Sequence, residues 1–317
     1  MEAATTTAAA ASGRPEAPSL RAARRRWGET VIKGVLLLAA LISLLTTFGI
    51  VYALLEETIV FFGEVGFHDF LFGTKWSPLF EPPSFGVLPL VAGTFATTLI
   101  GLLVAIPLGL GAAVYLSEYA RPRVRKTIKP VLALLAGIPT IVFGYFALTF
   151  FTPEILRGFF HLDVGIFNAL AAGIIIGFLI IPIVASISED AMRSVPQALR
   201  EGALGLGASK LQTTVRVVFP AALSGIVASI VLAMSRAVGE TMVVVIAGGL
   251  QPQWGADVGK SMETLTAFIA ATAKGDVPTG SIEYKTLFAV GMTLFVITLV
   301  INVISIRLVR KYRQVYE

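Results

Sequence analysis

Arg236 and Glu240 stand four residues apart inside a stretch, 223–246, whose other residues are uncharged. An i, i+4 spacing puts both side chains on one helical face. A charge in the middle of a bilayer costs about 2.5–3.5 kcal/mol on insertion scales, so such residues face a bundle interior or a wet cavity and take a partner. Glu240 is the obvious partner for Arg236. A guanidinium also matches tetrahedral oxyanions as a bidentate fork. The pair therefore reads as the lining of an anion path, with Glu240 holding and partly neutralising Arg236. A structural ion pair between helices is the competing reading of the same residues. Thr241, next to Glu240, and Thr140 are further candidate path residues. Thr94, Thr97, Thr98, Asn168 and Asn302 either line a path or bond between helices.

The remaining residue types argue against catalysis by this chain. Cysteine is absent and the histidines are His68 and His161, so no cofactor and no metal site is expected. The nearest fragment to a phosphate-binding loop is Gly259-Lys260-Ser261, and the first glycine of that pattern would fall at Trp254. Nucleophile elbows and paired catalytic carboxylates are not seen. The expectation is a non-enzyme.

The elements that must position these residues are membrane helices. Hydrophobic residues make up 56% of the 317, charged residues 14%, and mean hydropathy is +0.82. An ordinary soluble domain carries about 25% charged residues. A spanning helix needs about 20 mostly apolar residues, and six stretches qualify: 34–55, 87–116, 130–151, 166–186, 223–246 and 286–306. An all-α, polytopic bundle follows, preceded at 1–30 by a flexible basic arm. Proline and glycine interrupt several spans, at Pro107, at Gly137-Ile138-Pro139-Thr140 and at Pro182. Such breaks are tolerated where neighbouring helices or a cavity satisfy the freed backbone.

Lysine and arginine set the orientation. Six lie before the first span (Arg14 to Lys33), five at 121–129, four at 193–216 and four at 307–313, whereas the intervening loops hold Lys75, Arg157, Lys260, Lys274 and Lys285. Basic residues mark the cytoplasmic side, so both termini are expected there, in the cytoplasmic (inner) membrane. The net charge of +5 then reports topology and contact with membrane lipid, and no nucleic acid is implied.

The loop at 187–222 is long enough to have structure of its own. Pro196 suits a helix start, 198–204 has helical composition, Gly205 and Gly207 break it, and Ser209 caps a second short helix ending near Pro220. Glu201-Gly202-Ala203, three residues, Gly207, nine residues, then Val217-Val218-Phe219-Pro220 resembles the EAA motif of ATP-binding-cassette importer permeases, with Gly202 where that pattern has alanine. Ser235-Arg236-Ala237-Val238-Gly239-Glu240-Thr241-Met242 and Gly137 to Tyr145 are similar to phosphate-importer permeases of the PstC type. The likeness runs over about 30–315.

That resemblance implies a type I ABC importer permease (MetI-like) fold and transport of inorganic phosphate. It assigns Glu201, Gly202, Ala203, Gly207 and Pro220 to coupling with a separate ATPase. It implies a heterodimer with a PstA-type permease, a PstB-type ATPase dimer and a PstS-type phosphate-binding protein. Sulfate or molybdate remain alternative cargoes, since such importers share the coupling motif. A secondary transporter independent of any ATPase is the more distant alternative, and it leaves the 187–222 loop unexplained.

Overall fold

A computed structural model describes residues 27–275 and 277–312. The arm expected at 1–30 lies almost wholly outside these residues; its last four positions are helical. The chain divides after Val51 into two compact units. The first, where described, is helix alone. Apart from the part of the first helix that precedes Tyr52, everything below belongs to the second.

Helix α1 (Trp27–Glu64) is 38 residues long, about 57 Å at 1.5 Å per residue. A short α2 (Phe67–Phe72) and a two-residue antiparallel ladder, Trp76–Ser77 with Ser84–Phe85, follow. Then come α3 (Leu88–Val114), continued by a π turn to Tyr119, and α4 (Pro122–Ala136). Next is α5 (Thr140–Phe146), which runs on in π-helical form to Phe159. α6 (Ala169–Arg193) leads into α7 (Gln197–Gly205), α8 (Lys210–Thr213, with a π turn to Val218) and α9 (Phe219–Ala221). The chain finishes with α10 (Leu223–Val238), α11 (Leu265–Lys274) and α12 (Ile282–Tyr312). The fold is all-α apart from the small ladder.

Among the described residues four helices are long and apolar enough to span a membrane, or six if each of two bent pairs counts as one span. Where the sequence suggests a span over 130–151, the chain bends by 85° between α4 and α5. The cause is Pro139: the residue before a proline is pushed out of the helical region, and proline itself has no N–H to donate. The apolar stretch is therefore Thr140–Phe159, and α4 lies across it. The 187–222 loop is also shorter than its sequence suggests, since α6 continues through Arg193. Likewise 223–246 is not one helix. α10 ends at Val238, residues 239–241 break it, and a π turn at Val244–Gly248 resumes the helical path.

α3 and α6 run parallel and carry the main core. Their contact is a glycine seam. A β-carbon on Gly173 would lie 2.7 Å from Ile100 Cβ, one on Gly177 2.7 Å from Val104 Cβ, and one on Gly109 2.7 Å from Val184 Cβ. Small residues allow this backbone approach, and in a bilayer it replaces the missing hydrophobic drive between helices. α10 packs antiparallel on α6, where the buried hydroxyls of Ser188 and Ser229 share a 2.8 Å hydrogen bond.

Candidate functional site

The break after α10 is where the charged pair sits. Arg236 Nη1 donates to Glu240 Oε2 at 2.6 Å. The two partners differ in exposure: the Glu240 side chain is 2% exposed, and that of Arg236 is 41% exposed. Glu240 Oε1 also faces the Val243 N–H at 3.5 Å, near the open end of a short helical turn where a negative charge is favoured. Arg236 has no other hydrogen-bond or ion-pair partner among the described residues, so most of its five donors remain open. It lies 13 residues into α10, about 20 Å along it.

The broken backbone is secured from a second element. Thr266 of α11 donates its hydroxyl to the Glu240 carbonyl at 2.7 Å, and Thr264 and Thr266 share a 3.0 Å bond. Thr264 also caps α11 by accepting from the Ala267 N–H, and the Leu265 N–H donates to Thr94 Oγ1 at 3.0 Å. These threonines hold the helix-broken segment against α3, a role that charge and hydropathy did not reveal. Thr94 and Thr97 also bond back to carbonyls of their own helix.

The other path candidates fall apart by position. Thr241 is half-buried, and its hydroxyl donates to the Gly239 carbonyl at 3.3 Å. Thr140 is half-buried at the start of α5, with no bond to Arg236, Glu240 or Thr241 among the described residues. One turn on, Gly144 packs against the Met242 carbonyl and Ile246, so α5 does flank the segment after the break. Asn168 is buried as the N-cap of α6, accepting from the Ala171 N–H at 2.7 Å and donating to Thr152 and the Gly165 carbonyl. Asn302 of α12 accepts from Ser235 of α10 at 3.0 Å.

A second candidate region is the short-helix segment. α7 ends in a Schellman motif: the Ala208 N–H reaches the Ala203 carbonyl at 3.1 Å and the Gly207 N–H the Leu204 carbonyl at 2.9 Å. Gly207 has φ +84°, a conformation that costs any L-residue with a β-carbon. Ser209 and Gln212 form a reciprocal capping box at α8. Glu201, Gly202, Gly207 and Pro220 are exposed, and Ala203 is half-buried.

This segment is tied to the bundle by Arg200. It donates to the Val195 carbonyl at 2.6 Å, to the Met192 carbonyl at 2.7 Å and to Glu118 Oε1 at 3.2 Å. Its side chain is 13% exposed and that of Glu118 8%. Nearby, Lys129 of α4 donates to Glu189 Oε2 and Asp190 Oδ1, both at 2.6 Å, and the Glu189 side chain is fully buried. From sequence alone Glu118 and Glu189-Asp190 stand at cytoplasmic helix ends, as solvated charges or as contacts for an ATPase. In the structure Glu118 and Glu189 are not solvated but internal anchors, and of the three only Asp190 is largely exposed. Their cations lie 60 to 82 positions away, so local spacing gave no signal.

A further buried carboxyl, unlike these, has no cation beside it among the described residues. Glu263, in the connection between the α10 and α12 spans, is 6% exposed, and burial pushes its pKa up to about 8. It lines a cavity of about 240 Å³ together with Trp76, whose indole N–H has no partner among the described residues.

A family model for the binding-protein-dependent transport system inner membrane component matches residues 105–314, and the chain belongs to that family. With its apolar helices, this makes it a multi-pass membrane component of a transport system. Among similar proteins is the probable ABC transporter permease protein YqgH of Bacillus subtilis, 37% identical over 231 residues, covering 73% of this chain and 74% of the relative. The phosphate transport system permease protein PstC 1 of Mycobacterium tuberculosis is 35% identical over 247 residues, covering 72% and 73%. The PstC protein of Mesorhizobium japonicum is 33% identical over 288 residues, covering 84% and 85%. Two solved structures share the fold at low identity. The MetNI methionine ABC transporter gives a TM-score of 0.54 at 20% identity, covering 72% of this chain and 95% of that one. A bacterial ABC transporter involved in alginate import gives 0.62 at 16%, covering 91% and 100%.

Proposed function

We propose that the chain is the permease subunit of an ATP-driven importer of inorganic phosphate. The observation that carries the reading is Arg236. It is a guanidinium deep in a spanning segment, at a helix break, with one carboxylate contact and its other donors open among the described residues. A fully neutralised arginine would bind an anion poorly, and an unpaired one would hold it too tightly for a conduit. Glu240 sets the intermediate case. Thr241 and Thr140 complete the proposed path. Phosphate as cargo is supported by the names of the relatives, since the guanidinium itself does not discriminate among tetrahedral oxyanions.

The rest of the assembly follows from the same reading. ATP hydrolysis belongs to a PstB-type ATPase dimer, which docks on the segment carrying Glu201, Gly202, Ala203, Gly207 and Pro220. A PstA-type permease completes the path, and a PstS-type protein delivers phosphate from outside. Both termini face the cytoplasm, as the basic residues suggest. ATP-driven closure of the ATPases presses on α7 and α8, and Arg200 passes that push to α6 and to the end of α3.

The test is uptake of radiolabelled phosphate by membranes with and without this subunit, competed with sulfate and molybdate. Uptake is expected to need the subunit and the ATPase, and to survive an uncoupler. Sulfate or molybdate displacing phosphate at equal concentration would reassign the cargo. Collapse with the uncoupler alone would point to a secondary transporter.

A further inference from the structure

A cavity of about 520 Å³ opens between the short-helix segment and the ends of α3 and α6. Its walls carry Arg193, Gln197, Arg200, Lys210 and Thr213, and Glu118 is its acid. Arg200 and Glu118 neutralise each other. Lys210 is different. Its ammonium lies 4.9 Å above the Tyr119 ring and has no carboxylate partner among the described residues. Arg193 stands 3.8 Å from Glu189, whose other oxygen is held by Lys129 at 2.6 Å, so its guanidinium is incompletely paired. A third feature is independent of charge. Thr213 is 4% exposed, and its buried hydroxyl has no hydrogen-bond partner among the described residues. A buried polar group left unpaired costs about 1–3 kcal/mol, and a ligand oxygen would remove that cost.

We propose that this cavity is a binding site for a phosphate-class oxyanion, held by Lys210, Arg193 and the Thr213 hydroxyl and entered from the side that receives the transported anion. An ammonium, a guanidinium fork and a hydroxyl are the donor set that tetrahedral oxyanions take. The ligand is either free phosphate or the phosphate group of an anionic lipid. The choice of ligand rests on the phosphate-transport reading, but the site stands on its own geometry. A bound anion would bridge α6 to α8, holding the coupling segment in its present arrangement. Accumulated product would thereby slow further turnover.

The chain has no cysteine, so Gln197→Cys gives a single thiol at the cavity wall. The probe is inorganic phosphate, and the readout is maleimide labelling of this chain in inside-out membrane vesicles. At ten times its Kd, phosphate leaves about a tenth of sites open, so labelling is expected to slow about tenfold. Leu206→Cys, at a residue 91% exposed and outside the cavity, is the control and keeps its rate. Adding Lys210→Gln and Arg193→Gln to Gln197→Cys is expected to abolish protection, with retained labelling of Leu206→Cys in that background showing that the segment is folded. Protection by phosphatidylglycerol vesicles without free phosphate, absent in phosphatidylcholine, identifies the lipid as ligand source. Unchanged labelling with both ligands, protection that survives the double substitution, or protection given only by the ATPase overturns the proposal. Phosphate uptake by the same membranes separates the two readings. Uptake without protection overturns the site alone, and protection without uptake overturns the transport assignment alone.

Discussion

Arg200 and Arg236 each meet a buried carboxylate, yet their surroundings make them different instruments. Arg200 is itself buried, and two backbone carbonyls and Glu118 take up its donors. Arg236 keeps 41% of its side chain exposed and has one partner among the described residues, Glu240. The first arginine is held by protein at three points and serves as a joint. The second is held at one point and, among the described residues, open elsewhere, which is what the proposed anion-path role requires. Glu263 is the limiting case on the acid side, a buried carboxyl with no cation facing it among the described residues. Exposure and unused donors, more than residue type, divide anchors from candidate ligand groups here.

Breaking the joint is expected to have the largest effect. Arg200→Ala leaves Glu118 buried and uncompensated, which typically costs about 3–5 kcal/mol. Thermal unfolding in detergent and recovery of the assembled complex both report it, and a loss under 1 kcal/mol would show that the pair is not an anchor. Arg236→Gln keeps a donor for Glu240, so the expected stability loss is smaller, about 1–2 kcal/mol. Phosphate uptake should nonetheless be abolished while the complex assembles. Normal uptake by a stably expressed Arg236→Gln protein would reduce the pair to a structural one.

Glu263 sharpens the comparison through pH. Its folded pKa of about 8 lies above the ordinary value of 4.5, so the folded state binds the proton more tightly. Stability is therefore highest below about pH 4.5, falls as pH rises toward 8, and levels off above. Glu263→Gln should flatten that decline and stabilise the protein at pH 8–9 by something on the order of 2 kcal/mol. A melting-temperature series from pH 5 to 9 checks it, and parallel curves for both proteins would mean that Glu263 is not held neutral. At two glycines of the proposed coupling segment the expected effects are on stability alone. Gly207→Ala should cost about 1–2 kcal/mol, because φ +84° strains any residue with a β-carbon. Gly202→Ala meets nothing within 4 Å and should stabilise α7 by about 1 kcal/mol. Equal shifts at both positions would remove the conformational explanation.

Local features of this fold were legible in advance because they depend on neighbours in the chain. Ser209 as a cap, the helix stop at Gly205 to Gly207 and the apolar lengths of α3, α6 and α12 all follow from short-range rules. The Arg236–Glu240 contact was legible for the same reason, being one helical turn long. The bend at Pro139 was visible as a break, but its 85° angle was not, since proline permits a turn without setting how far the flanking helices diverge. The anchors were out of reach. Glu118 with Arg200 and Lys129 with Glu189 are contacts made by the tertiary fold, and each partner alone looks like a solvated loop charge. Thr266 was hidden likewise: a threonine after an apolar run carries no mark that its hydroxyl meets the Glu240 carbonyl.

The glycine seam between α3 and α6 has a mechanical consequence. Side chains in ordinary helix contacts act as compliant bearings that slide by switching rotamers. Here Gly173 and Gly177 place bare backbone against Ile100 and Val104, and backbone has no rotamers to switch. Under the proposed coupling role, the pair would act as one stiff plank, with little slippage between its halves when a stroke arrives at Arg200. The flexing would then fall to the sharp corners, at Pro139 and at Ala222, where α9 turns into α10.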